Sequence, residues 1–340
     1  MLARLAAIRS VDFLPVAASR TGLPVFFAVL LSCLFAWPTR AQVTPPGLFR
    51  AYLASDGSDS SPCTLPQPCR LLPKALSVVA DGGEIWMLDS ANFNTGTVDI
   101  QKSVSILAVP GAVGSIVATS GPAIFVEGAL TVSLRNVVIA PLIGATATDG
   151  VYAWGGFATL TIDNSLLARL PGNAIRMVGQ SKLRVINTLI RDNGGYAVHV
   201  GNGAQADIVN VRMLGNANGG VNLEYDSEGL ISGPQLLANI TDATISGGQY
   251  GVRIFAGNSS YSAFAYLDRV SITGTSAAGL STFGAPGALT PNVGVVLNQS
   301  RITRNFKACE LQSSTQVRSL GNNAVLDNIN ECGLPTVAPR

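Results

Sequence analysis

Charged and aromatic side chains are scarce in this chain of 340 residues. Asp, Glu, Lys and Arg make up 12% and Phe, Trp and Tyr 6%, whereas apolar residues reach 47%. This composition excludes an intrinsically disordered chain, which needs low hydrophobicity and high charge. The 22 basic residues nearly balance the 20 acidic ones. That balance excludes a nucleic-acid binder driven by its net charge.

The N-terminal segment has the pattern of a secretory signal peptide. Three arginines precede an apolar run at 23–37, and small residues at 39 and 41 have the spacing that signal peptidase reads. We predict cleavage after Ala41; a lipoprotein signal at Cys33 or an uncleaved anchor are the alternatives. Cleavage leaves 18 basic and 19 acidic residues, so the mature chain has no electrostatic attraction for nucleic acid or an anionic membrane. We expect a secreted, periplasmic or cell-surface protein.

Four of the five cysteines lie beyond residue 41, and an even number in an exported chain favours disulfides. Zinc is the alternative, but the single histidine, His199, is far in sequence from both cysteine pairs. We expect bonds between Cys63 and Cys69 and between Cys309 and Cys332. The second pair occupies equivalent positions in successive repeats, 23 residues apart, where neighbouring parallel strands would bring the two thiols close together.

An internal repeat of about 23 residues organises the chain. Residues 183–193 match residues 206–216 position for position, and each repeat contains three short segments of alternating apolar and polar residues. Such segments read as short strands, and with no crossover helix they predict coils stacked into a parallel β-helix, right-handed by the crossover rule. The last apolar residue of each middle segment is expected to point inward: Ile139, Leu167, Ile190, Met213, Ile245, Ile272, Ile302 and Val325.

Asparagines recur three residues after several of these anchors, at Asn193, Asn216, Asn305 and Asn328. Asparagine tolerates left-handed φ, so we expect these residues to form the corner between two strands and to hydrogen-bond along the column.

A solenoid also needs caps at its ends. We predict a strand and turn over 52–57 and a helix over 73–80 that Gly82 and Gly83 stop. The fold prediction is all-β: a single-stranded right-handed parallel β-helix of nine or ten coils with a short N-terminal capping helix. Its segments are a signal peptide (1–41), an N-terminal strand with the cysteine clamp and capping helix (42–83), the β-helix (84–333) and a C-terminal tail (334–340).

The sequence resembles secreted bacterial β-helix proteins of the pectate-lyase-like superfamily over about residues 50–333. The motifs that carry the resemblance are Asp56-Gly57, Pro62-Cys63, Pro68-Cys69-Arg70 and Gly82-Gly83-Glu84-Ile85. The resemblance implies the right-handed β-helix fold. Lyases of this superfamily hold Ca²⁺ with clustered acidic residues and use an Arg or Lys base, and its polygalacturonases use clustered aspartates. The present chain contains neither an Asp-Asp pair nor an Asn-Thr-Asp motif.

One outward column can be read off the register of the third strands: Tyr152, Arg176, His199, Asn222, Arg253, Ser281 and Glu310. A ligand-binding face is one interpretation, and a solvated sheet face, which must be polar in any case, is the other. Three consecutive coils also carry long loops after this strand, of 17, 13 and 15 residues against 8 in the two preceding coils. Insertions on one side of a solenoid often mark its binding side.

These loops and the column contain the candidate functional residues. Glu224, Asp226 and Glu228 alternate, so in an extended segment they share one side and are weak candidates for Ca²⁺ ligands or for an acid and base. The further catalytic candidates are Arg253 and His199, and the candidates for substrate binding are Arg176, Asn222, Tyr225, Phe255 and Tyr261. A hydrated acidic loop beside scattered aromatic residues is the alternative interpretation.

Two functions remain open from the sequence. One is a non-enzymatic extracellular or surface protein that binds a glycan or another partner, with no cofactor. The other is a polysaccharide lyase or hydrolase built around Arg253 and the 224–228 loop, for which Ca²⁺ would be a cofactor in the lyase case.

Overall fold

The computed structural model describes residues 47–225, 235–257, 260–285, 292–312 and 315–334. The predicted signal peptide therefore lies outside the described residues, and residues 46–340 belong to one compact unit. In chain order the elements are β1 Leu48–Leu53, α1 Leu72–Val78, β2 Val79–Met87, β3 Ala91–Asn92, β4 Val98–Ile100, β5 Val104–Ala108, β6 Gly114–Gly121, β7 Ile124–Glu127, β8 Thr131–Arg135, β9 Val137–Ala147, β10 Val151–Trp154, β11 Thr159–Asp163, β12 Leu166–Ala168, β13 Ile175–Val178, β14 Lys182–Ile186, β15 Leu189–Arg191, β16 Tyr196–Gly201, β17 Gln205–Val209, β18 Arg212–Leu214, β19 Gly219–Glu224, β20 Gln235–Thr241, β21 Thr244–Ser246, β22 Tyr250–Phe255, β23 Ser262–Asp268, β24 Ser271–Thr273, β25 Ala278–Phe283, β26 Val293–Asn298, β27 Arg301–Thr303, β28 Cys309–Leu311, β29 Thr315–Ser319 and β30 Ala324–Leu326.

The strands form three parallel sheets, each taking one strand from every coil. The eleven-stranded sheet has the order β1-β2-β5-β8-β11-β14-β17-β20-β23-β26-β29, and the ten-stranded sheet has the order β3-β6-β9-β12-β15-β18-β21-β24-β27-β30. The nine-stranded sheet runs β4-β7-β10-β13-β16-β19-β22-β25-β28. The fold is the right-handed parallel β-helix of about ten coils that the sequence predicts.

The pairing register follows the sequence repeat. Ile190 pairs with Met213 in the ten-stranded sheet, and Val198 pairs with Val221 in the nine-stranded sheet, each at the predicted offset of 23 residues. Apolar residues on the inner faces of all three sheets form one continuous buried core. Burial of each large aliphatic side chain contributes roughly 1.5–3 kcal/mol, so the ladders of the three sheets hold the coils together.

The asparagine prediction is right about the hydrogen bonds and wrong about the backbone. Asn193 and Asn216 are buried, and the Nδ2 of Asn216 donates to the backbone oxygen of Ile190 at 3.2 Å. The left-handed residue of that corner is the preceding one, with φ of +58° at Asp192 and +63° at Gly215. The reason is chemical: the buried amide supplies donors and acceptors that the corner backbone needs, whereas the exposed preceding residue makes the bend.

A second corner, between the eleven-stranded and the ten-stranded sheet, contains the asparagines that adopt left-handed φ. Their φ values are +56° at Asn136, +47° at Asn164, +50° at Asn187 and +54° at Asn210. Here too the amides form a column, since the Nδ2 of Asn210 donates to the Oδ1 of Asn187 at 2.8 Å.

The N-terminal cap differs from its prediction at both ends. The helix ends at Val78, and Gly82 and Gly83 lie inside strand β2 instead of stopping the helix. Glycine is needed there because Gly82 has a φ of +75° and a Cβ on Gly83 would lie 2.7 Å from the backbone oxygen of Phe49. Strand β1 pairs with β2 in the eleven-stranded sheet, so the sheet begins at Leu48, and the predicted boundary at residue 84 falls within a strand.

Two disulfides join the cysteine pairs expected from the sequence. Cys63 is bonded to Cys69 in the N-terminal cap, with their Cα atoms 4.6 Å apart. Cys309 is bonded to Cys332 at the other end of the solenoid, with a Cα separation of 5.8 Å. The helical part of the described chain contains no segment long and apolar enough to cross a membrane.

Candidate functional site

The outward column predicted from the sequence exists in the nine-stranded sheet. Its members pair one to the next across successive strands. The column also extends in the N-terminal direction, because Phe125 pairs with Tyr152 and Asp99 pairs with Phe125. Adjacent strands of a sheet lie about 4.8 Å apart, so the column presents one side chain at that interval along the solenoid.

The centre of the column is buried, which the interpretation as a solvated sheet face did not predict. His199 is 9% exposed, Asn222 1% and Ser281 0%, whereas Tyr152, Arg176, Arg253 and Glu310 are half-buried. Part of the cover comes from side chains beside the column, because the Arg253 guanidinium lies 5.5 Å from the ring centre of Phe255.

Four side chains of the column and its edge form a hydrogen-bond network across strands β16, β19 and β22. The Nδ2 of Asn222 lies 3.0 Å from the Nδ1 of His199 and donates to the Oε2 of Glu224 at 2.8 Å. Nη1 of Arg253 donates to the Oδ1 of Asn222 and to the Oε2 of Glu224, both at 3.0 Å. Because an amide nitrogen only donates, His199 accepts at Nδ1, and the neutral ring carries its proton on Nε2.

Tyr196 belongs to this network, although the sequence analysis did not single it out. Burial raises the pKa of its phenol, the charge of Glu224 raises it further, and the charge and hydrogen bond of Arg253 partly oppose these effects. The phenol is therefore protonated at neutral pH and serves as a hydrogen-bonding group. The alternation within β16 could have found it, since Tyr196 lies three residues before His199, but only the fold shows that it reaches Arg253, 57 positions later in the chain.

The aromatic candidates separate into two groups. The rings of Phe255 and Phe283 lie 6.4 Å apart beside Arg253, whose guanidinium is 6.0 Å from the ring centre of Phe283. Tyr225 and Tyr261 stack on each other with ring centres 4.3 Å apart and an interplanar angle of 14°. Each of these tyrosines therefore has one ring face covered by the other, and burial raises the pKa of the Tyr225 phenol.

A second aromatic group lies in the N-terminal half of the column. The ring centres of Phe125 and Tyr152 are 5.6 Å apart, and the guanidinium of Arg176 lies 4.9 Å from the ring centre of Tyr152. Rings and a guanidinium on adjacent strands thus form a continuous stack that leads towards His199.

The acidic loop cannot be placed in full. Asp226 and Glu228 lie outside the described residues, and Glu224 is held by Asn222 and Arg253 as described above. Within the described ranges, no group of three or more His, Cys, Asp or Glu side chains is close enough to hold a metal ion. The residues seen around Glu224 therefore do not form a calcium site.

Comparison with known proteins supports the fold. The model of a family described as "Right handed beta helix region" matches residues 122–284. No curated protein matches the sequence. Among solved structures, the catalytic unit of a thermostable GH87 alpha-1,3-glucanase from Streptomyces thermodiastaticus is similar, with 12% identity and a TM-score of 0.53 over 82% of this chain and 53% of that one. The present chain thus spans about half the length of the glucanase unit.

Two further structures resemble the chain at lower TM-scores. Pectate lyase Pel9A has 13% identity and a TM-score of 0.42 over 86% of this chain and 80% of that chain. The A-module of the mannuronan C-5 epimerase AlgE6 of Azotobacter vinelandii has 13% identity and a TM-score of 0.39 over 76% and 92%. At these identities the likeness concerns the fold. The chain is a right-handed parallel β-helix protein with the fold of the pectate-lyase-like superfamily.

Proposed function

We propose that this protein is exported and binds an extracellular polysaccharide along the outward face of its nine-stranded sheet. The observation that carries the proposal is the column itself, in which Phe125, Tyr152 and Arg176 lead into the network of His199, Asn222 and Arg253. Rings and hydrogen-bonding groups repeat there at strand spacing, which suits a ligand that is itself a chain of repeating units. The two disulfides support export to an oxidising compartment.

Binding is favoured over catalysis by the way the polar groups are engaged. Glu224 accepts from both Asn222 and Arg253, and the guanidinium of Arg253 also lies against Phe255 and Phe283. Groups held in this way have a fixed orientation, which is what recognition of sugar hydroxyls needs.

The test is affinity electrophoresis of the purified protein through gels that contain a glucan, a xylan, an alginate or a pectin. We expect retardation by at least one polysaccharide, and about a tenfold weaker affinity for Tyr152→Ala and Arg253→Ala. Arg269→Ala is the matched control, because Arg269 also pairs with a carboxylate, that of Asp242, but lies in the corner after β23. The proposal is wrong if no polysaccharide retards the protein or if the three variants bind equally.

A carbohydrate-active enzyme is the second candidate, and the convergence of Tyr196, His199, Glu224 and Arg253 favours it. The same polysaccharides would be incubated with the protein, with Ca²⁺ or with chelator. Unsaturated-sugar absorbance would report a lyase, and new reducing ends would report either a lyase or a hydrolase. Product that disappears in Arg253→Ala but persists in Arg269→Ala would establish the enzyme. Retardation without product would favour the binding protein.

A further inference from the structure

A groove of about 380 Å³ lies on the outward face of the eleven-stranded sheet, away from the column described above. It crosses the four strands β11, β14, β17 and β20. The polar side chains that line it include Thr161, Lys182, Arg184, Gln205, Asp207 and Asn239. None of these residues was a candidate from the sequence, because each is an ordinary outward residue of its own strand.

The groove combines hydrogen-bond donors and acceptors with little net charge. Nε of Arg184 lies 3.4 Å from the Oδ2 of Asp207, which is its register partner in the next strand, so the two charges offset each other. Both side chains are about half exposed, and their other polar atoms are available to solvent. Threonine, glutamine and asparagine complete the lining, and Lys182 adds one positive charge. Such a surface matches the hydroxyl groups of a sugar, which donate and accept at once.

An aromatic platform adjoins the groove in the same sheet. Tyr266 follows Asn239 in the register and is 48% exposed. Phe264 lies two residues earlier on the same face, and a Cβ on its register partner Gly294 would be 2.6 Å from the Phe264 Cδ1. The missing side chain at Gly294 therefore lets the Phe264 ring lie close against the sheet. Flat aromatic surface beside a polar groove suits the apolar face of a sugar ring.

We propose that this groove and platform form a second binding site, which takes a saccharide chain lying across strands β11 to β23. Sugar rings stack on Tyr266, and their hydroxyls bond to Asn239, Arg184 and Asp207. The site goes beyond the function proposed for the nine-stranded sheet, because it lies in a different sheet and shares none of its residues. One protein could then hold two saccharide segments, which strengthens attachment to a polysaccharide through effective concentration.

The experiment uses the same four polysaccharide gels with Tyr266→Ala and Asn239→Ala. We expect each variant to have about a tenfold higher dissociation constant for at least one polysaccharide that retards the unmodified protein. The matched control is Phe306→Ala, which removes a ring of similar exposure, 45%, from the corner after β27. It should bind as the unmodified protein does, and circular dichroism would verify that all three variants are folded.

Three outcomes overturn the proposal. In the first, no polysaccharide retards the protein, or Tyr266→Ala and Asn239→Ala bind as tightly as Phe306→Ala. In the second, sedimentation equilibrium shows a dimer that Tyr266→Ala dissociates, which assigns the face to a second copy of the chain. In the third, Tyr152→Ala and Arg253→Ala abolish all binding while Tyr266→Ala has none of the expected effect. That last result removes the second site and leaves the function proposed for the nine-stranded sheet standing.

Discussion

The Nδ2 of Asn193 donates a hydrogen bond to the Oδ1 of Asn216 across 2.7 Å, and both side chains are buried. The same oxygen also accepts from the backbone N–H of Asn193 at 3.2 Å. Removal of one amide leaves buried donors of the neighbouring coil without their acceptor. We therefore expect Asn216→Ala to lower the free energy of unfolding by about 2 kcal/mol, measured by urea denaturation.

The control for that change is Asn210→Gly, which removes an exposed amide of the other corner while allowing its φ of +54°. We expect a loss below about 0.5 kcal/mol there, in the range of most surface substitutions. Equal losses in the two variants would contradict the importance of burial.

Gly219 is expected to be irreplaceable by alanine. Its φ is +131°, and a Cβ there would lie 1.8 Å from the backbone oxygen of Tyr250 on the next strand. Because backbone cannot move aside as a flexible side chain can, Gly219→Ala should cost at least about 3 kcal/mol, read from thermal or urea unfolding. Gly96→Ala is the control, since a Cβ there meets no atom within 4 Å. It should be neutral or slightly stabilising, and a large loss in Gly96→Ala would contradict the explanation.

The two disulfides should differ in their contributions to stability. The Cys309–Cys332 bond closes a sequence separation of 23 residues, and the Cys63–Cys69 bond closes one of 6. Loop-closure entropy predicts about 3 kcal/mol for the first and about 2 kcal/mol for the second. Hydrogen exchange should show that a double Cys309→Ala, Cys332→Ala variant opens first at β29 and β30. Faster exchange confined to the N-terminal cap would contradict this.

The Asp242–Arg269 pair predicts a pH dependence. Arg269 donates to both carboxylate oxygens, at 2.6 and 2.9 Å, and these bonds hold the pKa of Asp242 below its ordinary value of 3.8. Because the folded-state pKa is the lower one, the stabilisation is present above pH 3.8 and is lost as the pH falls through the lowered pKa. Asp242→Asn should therefore unfold at less urea than the unmodified protein at about pH 7 and at the same urea at about pH 2. A difference that is equal at both pH values would rule the mechanism out.

The sequence predicts the coil because inward residues such as Ile190 and Met213 repeat at an offset that equals the strand pairing. Asp192 and Asn193 show where that reasoning ends: the repeat marks a corner, but which residue bends and which is buried depends on packing between coils. The burial of His199 and the contact of Tyr196 with Arg253 were likewise not predictable. They depend on side chains and loops of different coils, whose lengths vary and whose paths the repeat does not specify.

The outward column gains one side chain with every coil, and the core beneath it repeats in the same step. The reach of the protein along a linear ligand is therefore counted in whole coils. Duplication or deletion of one coil within 183–228, where the offsets are shortest, would lengthen or shorten that reach by one strand spacing. The caps at both ends would be left as they are. Recognition in this architecture thus behaves as a ruler whose divisions can be added or removed one at a time.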